Sequence, residues 1–264
     1  MKDWNGREIR CAYSQGGVIA VTHPFDNLIT TGCCPWPTPE VLQKLYRSPQ
    51  TRAFSQEQLA VCTSGLGYYC DLQSLHSEDA ITWSVFGTAG RSPGPKLAAW
   101  LAELLTMLGL PDVQTKEAEI FLWRRIPHPD TLGPGGPEID VGISTANTLV
   151  LIEAKWLSGV GAAQGKKKDK NQIQLRGELL GKYAPELLPS RSQLAVVGVG
   201  LSRDTFADTT PDGILFRSAT WEAICSLPTH PLTEEVRRYF KWKVENTRIA
   251  DNALGRAGDR YHRS

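Results

Sequence analysis

Two carboxylates and a lysine stand out because they lie in otherwise apolar segments. Asp140 lies within EIDVGIS (138–144), and Glu153 and Lys155 end the run LVLIEAKW (149–156). Alternate residues of a strand point to the same face, so Glu153 and Lys155 share a face of a predicted strand. A hairpin through the turn TANT would bring Asp140 alongside them. Charges in an apolar sheet need a partner or a metal ion, so these residues predict a functional site.

The chemistry expected from these side chains is the binding of a hard divalent cation. Asp140 and Glu153 offer oxygen ligands without histidine or cysteine, a set that favours Mg²⁺ or Mn²⁺ over zinc. The simpler alternative is an ion pair between Lys155 and a carboxylate at a strand end, with no chemistry. The upstream aspartate, the hairpin spacing and the apolar flanks together favour the metal site.

The sequence around these residues resembles the PD-(D/E)XK nuclease superfamily. Asp140, followed by Glu153-Ala154-Lys155 behind the apolar LVLI, is similar to the family motif, although Ile139 stands in place of its proline. The resemblance covers about 77 to 200, roughly half of the chain. It implies an α/β protein with a restriction-endonuclease-like core in the order αβββαβ, in which helices flank a mixed central sheet.

The same resemblance implies a role for each residue of the motif. Asp140 and Glu153 would hold the divalent ion, with the carbonyl of Ala154 as a further ligand. Lys155 would orient or activate the attacking water and offset charge that develops on the phosphoryl group. Hydrolysis of a phosphodiester needs these contributions, because a nucleophile must attack in line while the non-bridging oxygens are neutralised.

Two further positions are expected from the core helices of the family. An acidic residue of the first core helix would complete the metal ligands, and Glu78 fits best, with Glu103 and Glu119 as competitors. The second core helix can carry a glutamine that faces the site. Gln172 and Gln174 are the candidates, and Gln174 is the preferred one.

The most basic part of the chain follows the motif and runs into the predicted second core helix. Its basic residues are Lys166, Lys167, Lys168, Lys170, Arg176 and Lys182. Contact with the phosphate backbone of DNA is the functional interpretation, and a solvated charged loop is the alternative. The closeness in sequence to the expected metal site favours backbone contact, which carries no information about sequence specificity.

The surrounding sequence predicts the elements that position the site. Ser77 caps a helix over EDAITWSVFGTA, and Ser92 opens a second helix that stops at Gly109. Beyond them we expect strands at 118–126, 138–144 and 149–156, a helix at 170–183 and a strand at 193–202. A further strand, ILFRSAT, and helices capped by Thr220 and Thr233 follow.

The chain is expected to fall into three zones. Residues 1–70 form an N-terminal extension or subdomain, 71–228 the nuclease-like core, and 229–264 a C-terminal helix with a polar tail. The 264 residues include 29 Lys and Arg against 28 Asp and Glu, which gives a net charge of +1. Any affinity for a polyanion must therefore come from local clusters of charge.

Compartment and thiol chemistry follow from what the sequence lacks. It contains no apolar run of about 20 residues, the length of a membrane span, and no evident signal peptide. We therefore expect a cytoplasmic protein whose cysteines are reduced. The weaker alternative is a zinc site formed by two pairs of cysteines, Cys33 with Cys34 and Cys62 with Cys70. Neither pair has the spacing of a zinc knuckle.

The function expected from these features is divalent-metal-dependent hydrolysis of phosphodiester bonds in DNA. A role in restriction or defence is an analogy from the fold alone. One alternative is a catalytically silent module of the same fold that binds nucleic acid or protein, and another is a nuclease that acts on RNA or branched DNA. The N-terminal zone and the C-terminal helix would supply substrate recognition or a homodimer contact.

Overall fold

The computed structural model describes residues 1–49, 51, 54–110, 113–131, 135–158, 166–188, 193–206 and 213–247. The chain divides into two compact units. The first comprises Met1–Thr88 and the residues from Glu234 onward, and the second comprises Ala89–Thr233. The expected division into three zones stays a prediction, although these units group the C-terminal helix with the N-terminal residues.

The strands are β1 (Cys11–Tyr13), β2 (Ile19–Val21), β3 (Glu119–Arg125), β4 (Glu138–Ser144), β5 (Thr148–Ala154), β6 (Gln193–Gly200) and β7 (Leu215–Thr220). The helices are α1 (Pro39–Gln43), α2 (Gln56–Thr63), α3 (Glu78–Thr82), α4 (Thr88–Gly90), α5 (Gly94–Met107), α6 (Gln172–Glu178), α7 (Trp221–Cys225) and α8 (Thr233–Asn246). Two π-helical turns, Trp83–Gly87 and Leu179–Tyr183, continue α3 and α6.

The first unit combines a small hairpin with helices. Strands β1 and β2 pair antiparallel, and the Ser77 side chain accepts a hydrogen bond from the backbone N–H of Ala80, as the expected helix cap requires. The Tyr239 hydroxyl of α8 donates to the carbonyl of Asn27 at 3.0 Å, within the same unit. Among the described helices of the chain, none is long and apolar enough to cross a bilayer.

The second unit contains the five-stranded sheet that carries the predicted motif. Its order is β3-β4-β5-β6-β7, with β3, β4 and β5 paired antiparallel and β5, β6 and β7 paired parallel. The prediction of a mixed sheet in an α/β protein is therefore confirmed. Strand β4 has the predicted bounds, and β5 ends at Ala154, so Lys155 lies just beyond the strand.

Helix α6 packs over the strands that end at the motif. Its Ile173, and Leu180 of the following π turn, join Leu151 of β5 and Val196 of β6 in one buried apolar cluster. The start of α6 is fixed by a capping box between Asn171 and Gln174. The packing and the cap together hold one face of α6 against the sheet.

Candidate active site

Strand register brings the two predicted carboxylates together. The antiparallel pairs of β4 and β5 run to Val141 opposite Ile152, and one further step in the same register sets Asp140 opposite Glu153. Residues that face each other across antiparallel strands point to the same side of the sheet. Asp140 Oδ2 also accepts a hydrogen bond from the backbone N–H of Ala154 at 2.9 Å, where the ladder would otherwise continue.

The Lys155 side chain folds back onto the Glu153 carboxylate. Its ammonium Nζ donates to Glu153 Oε1 at 2.5 Å and to the carbonyl oxygen of Ala154 at 2.9 Å. Glu153 is fully buried and Lys155 is only 7% exposed. The lysine backbone is held as well, because its N–H donates to Val199 and its carbonyl accepts from the indole of Trp221.

Arg176 of α6 completes the set from the helix side, and this corrects its expected role. The residue is 0% exposed, and its guanidinium forms an ion pair with Glu153 Oε2. It was expected to contact a phosphate on the surface, but a buried guanidinium with this partner is not a surface contact. Arg176 lies three residues after Ile173 and four before Leu180, which is the spacing of the buried face of a helix.

The site balances two negative and two positive charges in a mostly buried setting. Burial, together with the neighbouring Asp140 carboxylate, raises the pKa of Glu153, while Arg176 and Lys155 oppose that shift. The four side chains are formally neutral together when all are ionised. The two cations, one on each oxygen of Glu153, offset part of the cost of burying this carboxylate.

Trp123 is a backbone outlier beside the site, and no sequence signal predicted it. Its φ is 52°, in the left-handed region, although it lies within β3. The pairs Leu122 with Val141 and Arg124 with Ile139 set Trp123 opposite Asp140 in the register. A tryptophan rarely adopts this conformation, and such backbone strain is concentrated at functional sites.

Other predicted residues do not join this group. Gln174 Oε1 accepts a hydrogen bond from the backbone N–H of Asn171, so the glutamine caps α6 where a site-facing role was expected. Glu119 is exposed at the opposite end of β3, paired in register with Ser144. Glu103 of α5 accepts hydrogen bonds from Thr229.

Glu78 lies in the first turn of α3, and the second alternative glutamine, Gln172, opens α6. Glu78 belongs to the first unit, whereas the Asp140 and Glu153 pair belongs to the second. The prediction that Glu78 completes a set of metal ligands therefore stays a prediction.

The oxygen atoms at the site are of the type that binds a hard cation, but the Lys155 ammonium already contacts two of them. Asp140 and Glu153 offer carboxylate oxygens and Ala154 a carbonyl oxygen, which are the ligands Mg²⁺ prefers. Lys155 contacts both Glu153 and the Ala154 carbonyl, so an ion that used these atoms would have to displace its ammonium. Within the described parts of the chain, no three His, Cys, Asp or Glu side chains are grouped to hold a metal.

The weaker zinc alternative gains no support from the first unit. None of the six cysteines, all of which the structure describes, forms a disulfide, and burial raises the pKa of Cys62 and of Cys70 to about 11. A thiol with a raised pKa is a poor metal ligand at neutral pH, because the thiolate is the form that binds.

The lysine-rich segment before α6 divides into exposed and paired residues. Lys166, Lys167 and Lys168 are exposed. Lys170 Nζ instead donates to Asp130 Oδ2 and to Glu178 Oε2, both at 2.8 Å, and these bonds raise the pKa of Lys170. The basic residues of this part of the chain that stay exposed are therefore Lys182 and the lysine triplet, defined here as residues 166–168.

Comparisons of the chain with protein-family models, with curated proteins and with solved structures found no match. The resemblance to the nuclease superfamily therefore rests on the motif residues and on the order of elements around them. The function of the site has to be argued from its own chemistry.

Proposed function

We propose that the chain is a Mg²⁺-dependent nuclease of the PD-(D/E)XK type that hydrolyses phosphodiester bonds in DNA. One observation carries the proposal: the register of β4 and β5 sets Asp140 opposite Glu153, and the Lys155 ammonium donates to the Glu153 carboxylate. Natural sheets rarely hold such charges in an apolar setting without a functional reason. The order of elements, three antiparallel strands followed by α6 and a parallel strand, supports the same fold.

Each residue has a distinct task in this proposal. Asp140 and Glu153 hold the divalent ion, which when bound would neutralise the non-bridging oxygens of the scissile phosphate. Lys155 orients the attacking water through its ammonium and offsets the charge that develops on the phosphoryl group. The lysine triplet, exposed before α6, contacts neighbouring phosphates.

A second candidate function is a catalytically silent module that binds nucleic acid. The observation in its favour is that both oxygens of Glu153 already have cationic partners, Lys155 and Arg176. A closed triad of this kind can serve as a structural ion cluster with no ion bound. This candidate predicts binding of DNA without cleavage.

Cleavage assays separate the two candidates. The protein is incubated with plasmid, linear duplex and single-stranded DNA, and with RNA, in Mg²⁺, Mn²⁺ or EDTA. We expect ion-dependent cleavage that falls at least about 100-fold in Asp140→Asn and in Lys155→Met, because each removes stabilisation of the transition state. Glu119→Gln is the matched control, since it neutralises an exposed carboxylate of the same sheet.

The outcomes are distinct. Equal behaviour of wild type and both site variants on every substrate would exclude the nuclease. Binding of DNA by a wild type that never cleaves would establish the silent module. Cleavage of RNA alone would keep the chemistry and change the substrate.

A further inference from the structure

Arg176 is a buried charge to which the proposed chemistry assigns no task. Its guanidinium Nη1 donates to the Gln172 carbonyl at 3.0 Å, and Nη2 donates to the Glu138 carbonyl at 2.8 Å. Glu138 precedes Asp140 on β4 by two residues. Arg176 thus links α6 to β4 through a carbonyl and to β5 through Glu153.

These two backbone hydrogen bonds hold the Arg176 guanidinium independently of its ion pair with Glu153. Two backbone carbonyls hold the guanidinium, and neither belongs to a residue of the proposed metal site. Arginine also keeps its charge at any accessible pH. A fixed positive charge therefore stays beside Glu153 even when that carboxylate takes another partner.

Charge counting shows the consequence for a metal ion. With all four side chains ionised, Asp140 and Glu153 contribute −2 and Lys155 and Arg176 contribute +2, so the group is neutral before any ion enters. A divalent cation would leave it at +2, which is unfavourable beside the fully buried Glu153 and Arg176. Phosphate groups of a bound nucleic acid supply the negative charge that offsets this excess.

We propose that Arg176 is a positioning residue that makes capture of the divalent ion depend on bound nucleic acid. The inference rests on the proposed function, because it takes Glu153 as a metal ligand and phosphate as the substrate group. Coupling between two ligands is reciprocal, so the ion tightens nucleic-acid binding by the same factor. The site would then hold its ion chiefly when a substrate is present.

Titration of Mn²⁺, followed by loss of the EPR signal of the free ion, measures this coupling. Each protein is titrated alone and with a phosphorothioate-backbone duplex, which keeps the charge of DNA and is cleaved slowly. For wild type we expect the duplex to tighten Mn²⁺ binding by about tenfold or more, within the usual range of coupling. In Arg176→Gln we expect tighter Mn²⁺ binding without duplex and a smaller effect of the duplex.

Arg217→Gln is the matched control. Arg217 is a half-buried arginine of β7, and the register from Glu153 through Gly198 to Ser218 sets it on the opposite face of the sheet. This variant is expected to keep the wild-type coupling. If the role of Arg176 is merely structural, Arg176→Gln will have a lower melting temperature than wild type. The ratio of its Mn²⁺ affinities with and without the duplex will then be unchanged.

Two further variants separate charge from folding. Arg176→Lys keeps the charge and is expected to retain most of the coupling. If Arg176→Gln does not fold, Lys155→Met removes the other cation on Glu153 and is expected to change the coupling in the same direction. The inference would be overturned if the coupling is unchanged in Arg176→Gln or, where that variant does not fold, in Lys155→Met. It would also be overturned if Arg176→Lys reduces the coupling as much as the neutral variant does.

Failure of the inference and failure of the proposed function give different results. A wild type that binds no Mn²⁺ even with the duplex contradicts the metal site itself. A wild type that binds Mn²⁺ equally well with and without the duplex keeps the metal site and contradicts the coupling.

Discussion

At the scale of single residues, the fate of a buried charge depends on what lies beside it. Lys155 is buried beside a carboxylate, whereas Lys243 of α8 is fully buried and its Nζ donates to the carbonyl of Leu75 at 2.7 Å. Burial lowers the pKa of Lys243 well below its ordinary value of 10.5. The two lysines therefore contribute to stability in different ways.

Lys243 predicts a rise in stability with pH. Above its lowered pKa the folded protein lacks a proton that the unfolded chain still binds up to about pH 10.5. Unfolding then takes up a proton, so the free energy of unfolding increases with pH by at most about 1.4 kcal/mol per unit. In Lys243→Met we expect this increase to be absent between pH 7 and pH 10, measured by denaturant unfolding.

The difference between the two curves isolates the lysine, because all other titrating groups are common to both proteins. His76, the pKa of which is lowered by burial and by Lys243, titrates below this window. Parallel curves for wild type and variant would mean that Lys243 stays protonated in the folded protein.

At the scale of elements, α6 and the segment before it separate three kinds of basic residue that look alike in the sequence. The lysine triplet is solvated, Lys170 is held between Asp130 and Glu178, and Arg176 is buried. Helical spacing from Ile173 could have indicated the burial of Arg176. The pairing of Lys170 could not be predicted, since Asp130 lies forty residues earlier and meets it only in the folded chain.

The triplet and Lys170 are therefore predicted to differ in their effect on DNA binding. Replacing Lys166, Lys167 and Lys168 by Gln should weaken binding and reduce the slope of log K against log salt, by about 0.9 for each phosphate that is no longer neutralised. Lys170→Gln, a single-charge control, should change the slope little because its ammonium is already neutralised. Fluorescence anisotropy over a salt series measures both.

The triplet result is independent of the metal site. Mn²⁺ binding in the presence of a duplex at saturating concentration should be unchanged in the triple variant. A slope equal to that of wild type would show that the triplet is a solvated loop that does not touch phosphate.

At the scale of the whole molecule, the sequence predicted the sheet better than the site. Alternation and apolar runs located β3 to β6, and the hairpin spacing predicted the approach of Asp140 to Glu153. Neither pattern carries information on contacts between distant segments, such as Arg176 with Glu153. The left-handed backbone of Trp123 likewise departs from the preference of a strand residue, and no pattern in the sequence indicated it.

The two compact units make a prediction about where ligands stabilise the chain. Mn²⁺ with duplex should slow hydrogen exchange in β4, β5 and α6, including the Ala154 amide that donates to Asp140. Ligand at about 100 times its Kd adds about 2.7 kcal/mol, so exchange through unfolding of the second unit slows by up to about 100-fold. Amides of α8, in the first unit, should change much less.

Asp140→Asn tests whether this protection comes from the site, because it removes a proposed ligand and should abolish the effect of the ion while the triplet still binds phosphate. Protection that spreads equally to α8 would mean that the two units unfold as one cooperative body. Protection confined to the second unit and absent in Asp140→Asn would instead tie ion and nucleic-acid binding to the strands that carry the motif.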